Sequence, residues 1–414
     1  MRNNINRILF VTEYLPYPPD TGAKTPFYYL IKELALYQDC LELGVVSLFD
    51  KKDINFVEPT SNWLRLLGVK WFKFIEKKDE TLFYKMTRYD LIPKLYSVNI
   101  FEDIIAEFRP NVIFLGLNEL SVYITSFFKE ESCLSVPIIF FPRDNSLLNI
   151  ESRLRNDSSF VNRMINSIKL YLRKRAIRKF RYSRFEKYIY LSERDAERFR
   201  NFIQKPEISS KVVVIPLGVD TEKFSPVEQR DMHLDRVILL FTGVLDYPPN
   251  EEASLTLLTE IFPKISYRYR NTYLYLVGRN PTERVLKISK ELERVFVTGY
   301  VDNIVSYYQD SDIYICPVKF GSGMKNKILE AMSSGLPVIS FYEGVAGIDK
   351  IEESGLIVVD NTNEMLEALE RLILNPTIRK QLGRKNRNFI ENRYSWKAIC
   401  RKYIKEITLS EGLS

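Results

Sequence analysis

The stretch F-G-S-G-M-K-N-K-I-L-E-A-M-S-S-G-L-P-V-I, from Phe320 to Ile339, decides the fold of this chain. It follows an apolar run, Ile313-Tyr-Ile-Cys316, and holds a glycine turn, a short segment of helical period and the start of a second apolar run. Strand, glycine turn, helix and strand in that order make a β-α-β unit, which calls for a parallel sheet. The turn residues Gly321, Ser322 and Gly323 lead into a helix opened by Lys325 and Asn326. Free backbone N–H groups at a helix start, with the helix dipole behind them, attract anions, and the Lys325 charge adds to that field. A diphosphate fits there. Glu330, on the same short helix, suits a ribose, because one carboxylate accepts hydrogen bonds from two neighbouring hydroxyls. The same residues also fit a plain turn beside a solvated Lys325 and Glu330, and composition alone does not separate the two readings.

Working outward, the β-α-β rhythm continues in both directions. The first half has apolar runs at Ile8–Thr12, Leu43–Ser47, Val112–Leu115, Val136–Phe141, Tyr188–Leu191 and Val212–Ile215. The second half has them at Val237–Thr242, Tyr273–Val277, Val295–Thr298, Ile313–Cys316, Val338–Ser340 and Leu356–Val359. Between the two halves, I-P-L-G-V-D-T-E-K-F-S-P breaks the pattern and reads as a linker. The expected organisation is α/β, with two Rossmann-like, doubly wound domains at 1–217 and 236–393, a linker at 218–235, and a last helix opened by Tyr394-Ser-Trp396. Strand ends that face a central cleft would hold the ligands.

The bulk numbers agree with two globular cores: 414 residues, 45% hydrophobic and 27% charged. No apolar run approaches the roughly 18 to 20 residues of a membrane span, and Arg7-Ile-Leu-Phe-Val11 is too short for a signal peptide, so a cytoplasmic protein is expected. The four cysteines, Cys40, Cys133, Cys316 and Cys400, are far apart and indicate neither disulfides nor zinc. The single histidine, His233, lies in the linker, which leaves histidine-based catalysis or metal binding little to work with. Asp310-Ser-Asp312 matches a D-x-D metal pattern but sits at a helix-to-strand junction, the wrong end of a strand for a site.

Three further loops follow predicted strands. T-G-V-L-D-Y-P-P-N brings Gly243 to a phosphate-sized turn, and P-Y-P-P-D-T-G-A-K brings Gly22 to the matching turn of the first domain. Val277-Gly-Arg279 puts Arg279 at a strand end, where it either reaches a ligand or is simply solvated. Asp144, in F-F-P-R-D-N-S, is the best-placed carboxylate on the acceptor side, or else a helix N-cap.

Taken together, R-I-L-F-V-T-E-Y-L-P-Y-P-P-D-T-G, F-E-K-Y-I-Y-L-S-E-R-D, V-I-P-L-G-V-D-T-E-K-F-S-P, L-F-T-G-V-L-D-Y-P-P-N, V-G-R, V-T-G-Y-V-D-N, the Phe320–Ile339 stretch and R-Y-S-W resemble, in order and spacing, the retaining family 4, or group 1, glycosyltransferases. The resemblance covers nearly the whole chain. It implies a GT-B fold whose last helix, 394–414, returns to the first domain. It further implies transfer of a sugar from a nucleotide-diphosphate donor to a hydroxyl acceptor with retention and without a metal or other cofactor. Glu330 matches the second glutamate of the family's E-x7-E motif and should hold the ribose. Gly243 matches the donor-facing glycine and Gly22 the amino-terminal loop glycine. The backbone around Tyr300 and Val301 should meet the base. The first glutamate of the motif falls at Ser322, and the Arg and Lys that often follow the glycine matching Gly243 are replaced by V-L-D-Y-P-P-N. Lys325, in a G-x-G-x-[KR]-N-K pattern, is the natural replacement, expected to act in catalysis on the diphosphate with Asp144 on the acceptor side.

One compositional anomaly stands apart: residues 163–187 hold ten Lys/Arg against one acid, Glu186. Interleaved apolar residues make this a basic amphipathic helix, or else a helix packed on the core. The first reading predicts a peripheral protein on an anionic membrane surface with a lipid-linked or glycan acceptor. No nucleic-acid module accompanies the charge. A non-catalytic nucleotide-sugar-binding protein and a nucleotide-sugar epimerase are the competing readings.

Overall fold

The computed structural model describes residues 6–19, 24–77, 98–117, 136–141, 163–168, 170–171, 185–227, 236–321 and 324–408. Contacts divide the chain into two compact units, Met1–Ile215 with Cys400–Ser414, and Pro216–Ile399.

The first unit is built on seven strands: β1 (Asn6–Thr12), β2 (Leu41–Phe49), β3 (Trp71–Glu76), β4 (Val112–Gly116), β5 (Ile138–Phe140), β6 (Lys187–Tyr190) and β7 (Val212–Val214), in the order β3-β2-β1-β4-β5-β6-β7. Every pairing is parallel. Ile8, Leu9, Phe10 and Val11 are all buried, as expected of a central strand covered on both faces. The Thr25–Leu34 helix starts with Pro26 in its first turn and buries Phe27, Leu30, Ile31 and Leu34, one stripe at helical spacing. Six of these strands coincide with the apolar runs of the sequence. The seventh, Trp71-Phe-Lys-Phe-Ile-Glu76, is an edge strand, only partly buried along most of its length, and it has one β-branched residue.

The second unit has β8 (Val237–Thr242), β9 (Thr272–Val277), β10 (Val295–Val297), β11 (Ile313–Cys316), β12 (Val338–Phe341) and β13 (Ile357–Val359), in the order β10-β9-β8-β11-β12-β13 and again all parallel. Residues 218–227, at the start of the expected linker, are packed into this unit. The Val219 N–H donates to Tyr394 O at 2.8 Å, and a Cβ on Gly218 would lie 2.6 Å from the Trp396 ring.

The last helix, Trp396–Thr408, begins in the second unit, and its residues from Cys400 onward group with the first. There Tyr403 is buried with its ring 5.8 Å from that of Phe114, and Glu406 pairs with Lys187. Among the described residues no helix is long and apolar enough to cross a membrane.

Both sheets reverse direction once. In the first the chain leaves β1 toward β2 and β3 and returns on the other side at β4. In the second it leaves β8 toward β9 and β10 and returns at β11. Loops leaving the carboxyl ends of two such strands diverge, and the crevice that opens between them is where open α/β sheets bind ligands.

Candidate functional site

In the second unit the crevice lies past the ends of β8 and β11. Gly243 follows β8, and Lys325, after β11 in the chain, precedes the Asn326–Ser333 helix. The N-cap position of that helix is Lys325 in extended geometry, and among the described residues no side chain caps it. Gly321 has φ +130, and a Cβ placed there would lie 3.3 Å from Lys325 Nζ and 3.4 Å from Pro249 Cγ. Pro249 and Asn250 belong to the first turn of a second helix, Pro248–Thr256. The Asn326 helix start and an ammonium group therefore border the Gly321 turn, which makes the field there positive, whereas the Pro248 helix starts with two prolines and contributes no free N–H.

The turn after β8 is tied down by backbone bonds. Gly243 N donates to Val277 O at 3.0 Å and Leu245 N to Arg279 O at 2.9 Å. This explains the glycine of Val277-Gly-Arg279: Gly278 has φ +151, and a Cβ there would sit 1.7 Å from Gly243 O. The Arg279 side chain is exposed.

Glu330 is partly buried below this turn and joined to the strands by a relay of hydroxyls. Tyr308 Oη donates to Glu330 Oε2 at 2.9 Å, Thr242 Oγ1 lies 2.8 Å from Tyr308 Oη, and Tyr314 Oη lies 3.0 Å from Thr242 Oγ1. Since Tyr308 gives its proton to the carboxylate, Thr242 donates to Tyr308 and Tyr314 to Thr242. Glu330 Oε1 has no hydrogen-bond partner among the described residues. Burial raises the Glu330 pKa above the usual carboxylate range, opposed by the Tyr308 bond and by the charges of Lys223 and Lys327. Burial also pushes Tyr308 and Tyr314 well above the ordinary phenol value, so both remain protonated donors.

Lys327 is a site residue that the sequence alone does not single out. Its Nζ donates to Thr242 O at 3.1 Å and to Asn250 Oδ1 at 2.6 Å, and lies 4.3 Å from the centre of the Phe241 ring. Burial lowers its pKa to about 8, helped by the nearby charge of Lys325 and opposed by Cys316 and Glu330. Asn250 Nδ2 in turn donates to Val244 O at 2.9 Å. The available signal was spacing: Lys327 and Glu330 stand at i and i+3 of one helix and so share a face.

The structure thus brings Gly243, Gly321, Lys325, Asn326 and Glu330 to the carboxyl edge of one sheet. Asn326 Oδ1 is buried there without a hydrogen-bond partner among the described residues. Tyr300 and Val301 follow β10 on the same edge, the first 74% exposed and the second packed on the core, after Gly299 at φ +71. Ser322, Gly323, Gly22 and Asp144 lie outside the described residues, as do 169 and 172–184 of the basic segment, Cys133 and His233. Asp312 is buried at the opposite, amino edge of the sheet, where Oδ2 accepts from Ile238 N at 2.8 Å.

The comparisons with known proteins agree on a glycosyltransferase. Residues 236–375 match the family described as Glycosyl transferases group 1. An uncharacterized glycosyltransferase of Methanocaldococcus jannaschii is 24% identical over 234 residues, which is 50% of this chain and 55% of that one. The UDP-Gal:alpha-D-GlcNAc-diphosphoundecaprenol alpha-1,3-galactosyltransferase of Escherichia coli is 28% identical over 182 residues, 39% of this chain and 45% of that one. The chain therefore spans about half the length of these relatives. Among solved structures, HepE of Anabaena in complex with UDP-glucose superposes with a TM-score of 0.62 at 14% identity, covering 97% of this chain and 99% of that one. At that identity the likeness concerns the fold alone, and that fold is GT-B.

Proposed function

Because the second unit of this GT-B chain is a group 1 glycosyltransferase domain, we propose that the protein transfers a sugar from a nucleoside diphosphate donor to a hydroxyl acceptor. The observation that carries the reading is the pairing, at one switch point, of the Asn326 helix start and its lysines with a carboxylate. Glu330, oriented by Tyr308, keeps Oε1 for a ribose hydroxyl, and the diphosphate sits toward Gly243 and the Gly321 turn. Fixed cations and a helix start stabilise the charge that builds on the departing diphosphate, and such preorganised electrostatics are the main source of rate enhancement in a site of this kind. In this reading the acceptor hydroxyl attacks on the face that the leaving group vacates, its proton passing to the diphosphate oxygen, so the sugar keeps its configuration without a metal.

UDP sugars are the first donors to try, since the relative in Escherichia coli and the bound Anabaena structure are both named with them. A lipid-linked or glycan acceptor in polysaccharide or glycolipid assembly accords with the same relative's name. The basic segment 163–187 gives a means of reaching such an acceptor at an anionic membrane surface.

The test is a thermal-shift panel of UDP, GDP, ADP and CMP, with their common sugar conjugates, on the full chain and on Glu330→Ala. Stabilisation of about 2.7 kcal/mol is expected at a hundredfold excess over Kd. One nucleotide series should stabilise the wild type and lose its effect in Glu330→Ala. Acceptor-dependent release of the nucleoside diphosphate in EDTA then separates a transferase from an epimerase, which converts donor alone, and from a binding protein, which does neither.

A further inference from the structure

We propose that Lys327 and Asn250, with the bare Cα of Gly243 between them, form the cradle for the donor diphosphate, an inference that rests on the donor-site reading above.

The case is one of unspent donors. An ammonium group has three N–H donors, and Lys327 uses two, on Thr242 O and Asn250 Oδ1. An amide nitrogen has two, and Asn250 Nδ2 uses one, on Val244 O. A Cβ built on Gly243 would lie 2.7 Å from Asn250 Nδ2 and 3.3 Å from Lys327 Nζ, so both groups border the space directly over that glycine. An oxyanion resting at van der Waals distance on the bare Cα approaches both groups and can take the third ammonium N–H and the second amide N–H. A Cβ at position 243 would collide with Asn250 and hold an oxyanion away from both donors.

Charge points the same way. Lys327 has no carboxylate within ion-pair distance among the described residues, and its acceptors there are the neutral Thr242 carbonyl and Asn250 amide together with the Phe241 ring. A largely buried cation whose direct contacts are all neutral is costly, with Glu330 offsetting only part of that cost from a distance, and an arriving anion relieves it. Lys325 is near enough to add to the field but stands beside the Gly321 turn instead. The cradle thus takes the place of the Arg and Lys that V-L-D-Y-P-P-N lacks. It draws on the same loop, through Asn250, and on the following helix, through Lys327.

The experiment is calorimetric titration of the full chain with UDP, GDP and ADP, each against its nucleoside and against inorganic pyrophosphate. The variants are Lys327→Met, Lys327→Arg, Asn250→Asp, Lys325→Ala and Glu330→Ala. Loss of one charge-assisted hydrogen bond predicts a roughly 10- to 100-fold weaker diphosphate affinity in Lys327→Met, with nucleoside affinity unchanged and partial rescue in Lys327→Arg. If Lys327→Met does not fold, Asn250→Asp still offers Oδ1 to Lys327 but turns the second donor into an acceptor, and should lose at least about tenfold. Diphosphate affinity within threefold of wild type in the folded variants, with binding lost in Glu330→Ala, overturns the cradle and leaves the donor site standing. A larger loss in Lys325→Ala than in Lys327→Met also overturns it. Absence of any nucleoside diphosphate binding by the wild type removes both proposals together.

Discussion

Two glycines close switch-point strands in this molecule, and they are put to opposite use. In the first unit Gly116 ends β4, and a Cβ there would fall 2.0 Å from Phe27 Cζ. Phe27 is itself wedged against Phe114 and Phe141, at ring separations of 6.3 and 5.4 Å. That glycine makes room for an aromatic core. In the second unit Gly243 directly follows β8 and faces an amide and an ammonium group, while Gly278 lies against its carbonyl oxygen. The same topology therefore produces an apolar plug in one sheet and a polar recess in the other. What differs is the partner that the missing side chain admits.

The sharpest way to break the comparison is to add a methyl group to each sheet. Gly278→Ala places a Cβ against the Gly243 backbone, which has no rotamer with which to yield, at a φ that alanine avoids. Loss of several kcal/mol of stability and of all nucleotide-dependent stabilisation is expected in thermal unfolding with and without ligand. Gly116→Ala meets only a side chain, so overpacking should cost about 1–3 kcal/mol while ligand-dependent stabilisation keeps its size. Equal effects on ligand binding from the two variants would mean that the glycines are not specialised as described.

A second prediction concerns pH. Lys327 is cationic below about 8 in the free protein and neutral above it. The terminal phosphate has lost its last proton by then, its second pKa lying near 6. Nucleoside diphosphate affinity should therefore fall as pH rises from 7 to 9, by about tenfold for one titrating cation, and the slope should flatten in Lys327→Met. A pH-independent affinity over that range, measured by calorimetry in matched buffers, counts against any contact between Lys327 and the diphosphate.

Much of this was legible in the sequence, for a physical reason. Central parallel strands are buried on both faces and so appear as continuous apolar runs, which is why Val237–Thr242 is found with both of its ends in place. Trp71–Glu76 is an edge strand with one β-branched residue and carries no such signal. At the site, Gly321, Lys325 and Glu330 were marked by a glycine turn before a helix. Lys325-Asn-Lys327 reads as two similar lysines, and nothing local separates them. The fold does so by setting Lys325 at the N-cap and Lys327 one turn before Glu330, over Phe241 and against Asn250, a residue 77 positions away. Asn250 ties to Val244 within its own connection, but its role at the site depends on Lys327, which comes from a different strand-to-helix connection. Tyr308 and Thr242 stayed invisible for the same reason, being joined to Glu330 only when β8, β11 and two helices are assembled.

The smallest expected effect comes from the relay under Glu330, and it refines the contrast between the two sheets. Tyr308→Phe removes the donor to Glu330 Oε2 while keeping the ring against Phe224 and Tyr314. The buried Tyr308 in the polar recess serves to aim a carboxylate as well as to fill space, whereas Phe27 in the plug only fills space. The carboxylate left behind loses the neighbour that most favours its charge, so its pKa should rise further. Donor affinity near neutral pH should weaken by about three- to tenfold, in line with a net hydrogen bond of about 1 kcal/mol. The loss should grow as pH falls, because a protonated Glu330 is a weaker acceptor for the ribose hydroxyl than the carboxylate. A thymidine diphosphate, whose sugar lacks the 2′-hydroxyl, should by contrast bind Tyr308→Phe and wild type more nearly alike. If Tyr308→Phe instead weakens both ligands equally at every pH, the tyrosine is a packing residue like Phe27, and the aiming of Glu330 must come from elsewhere on its helix.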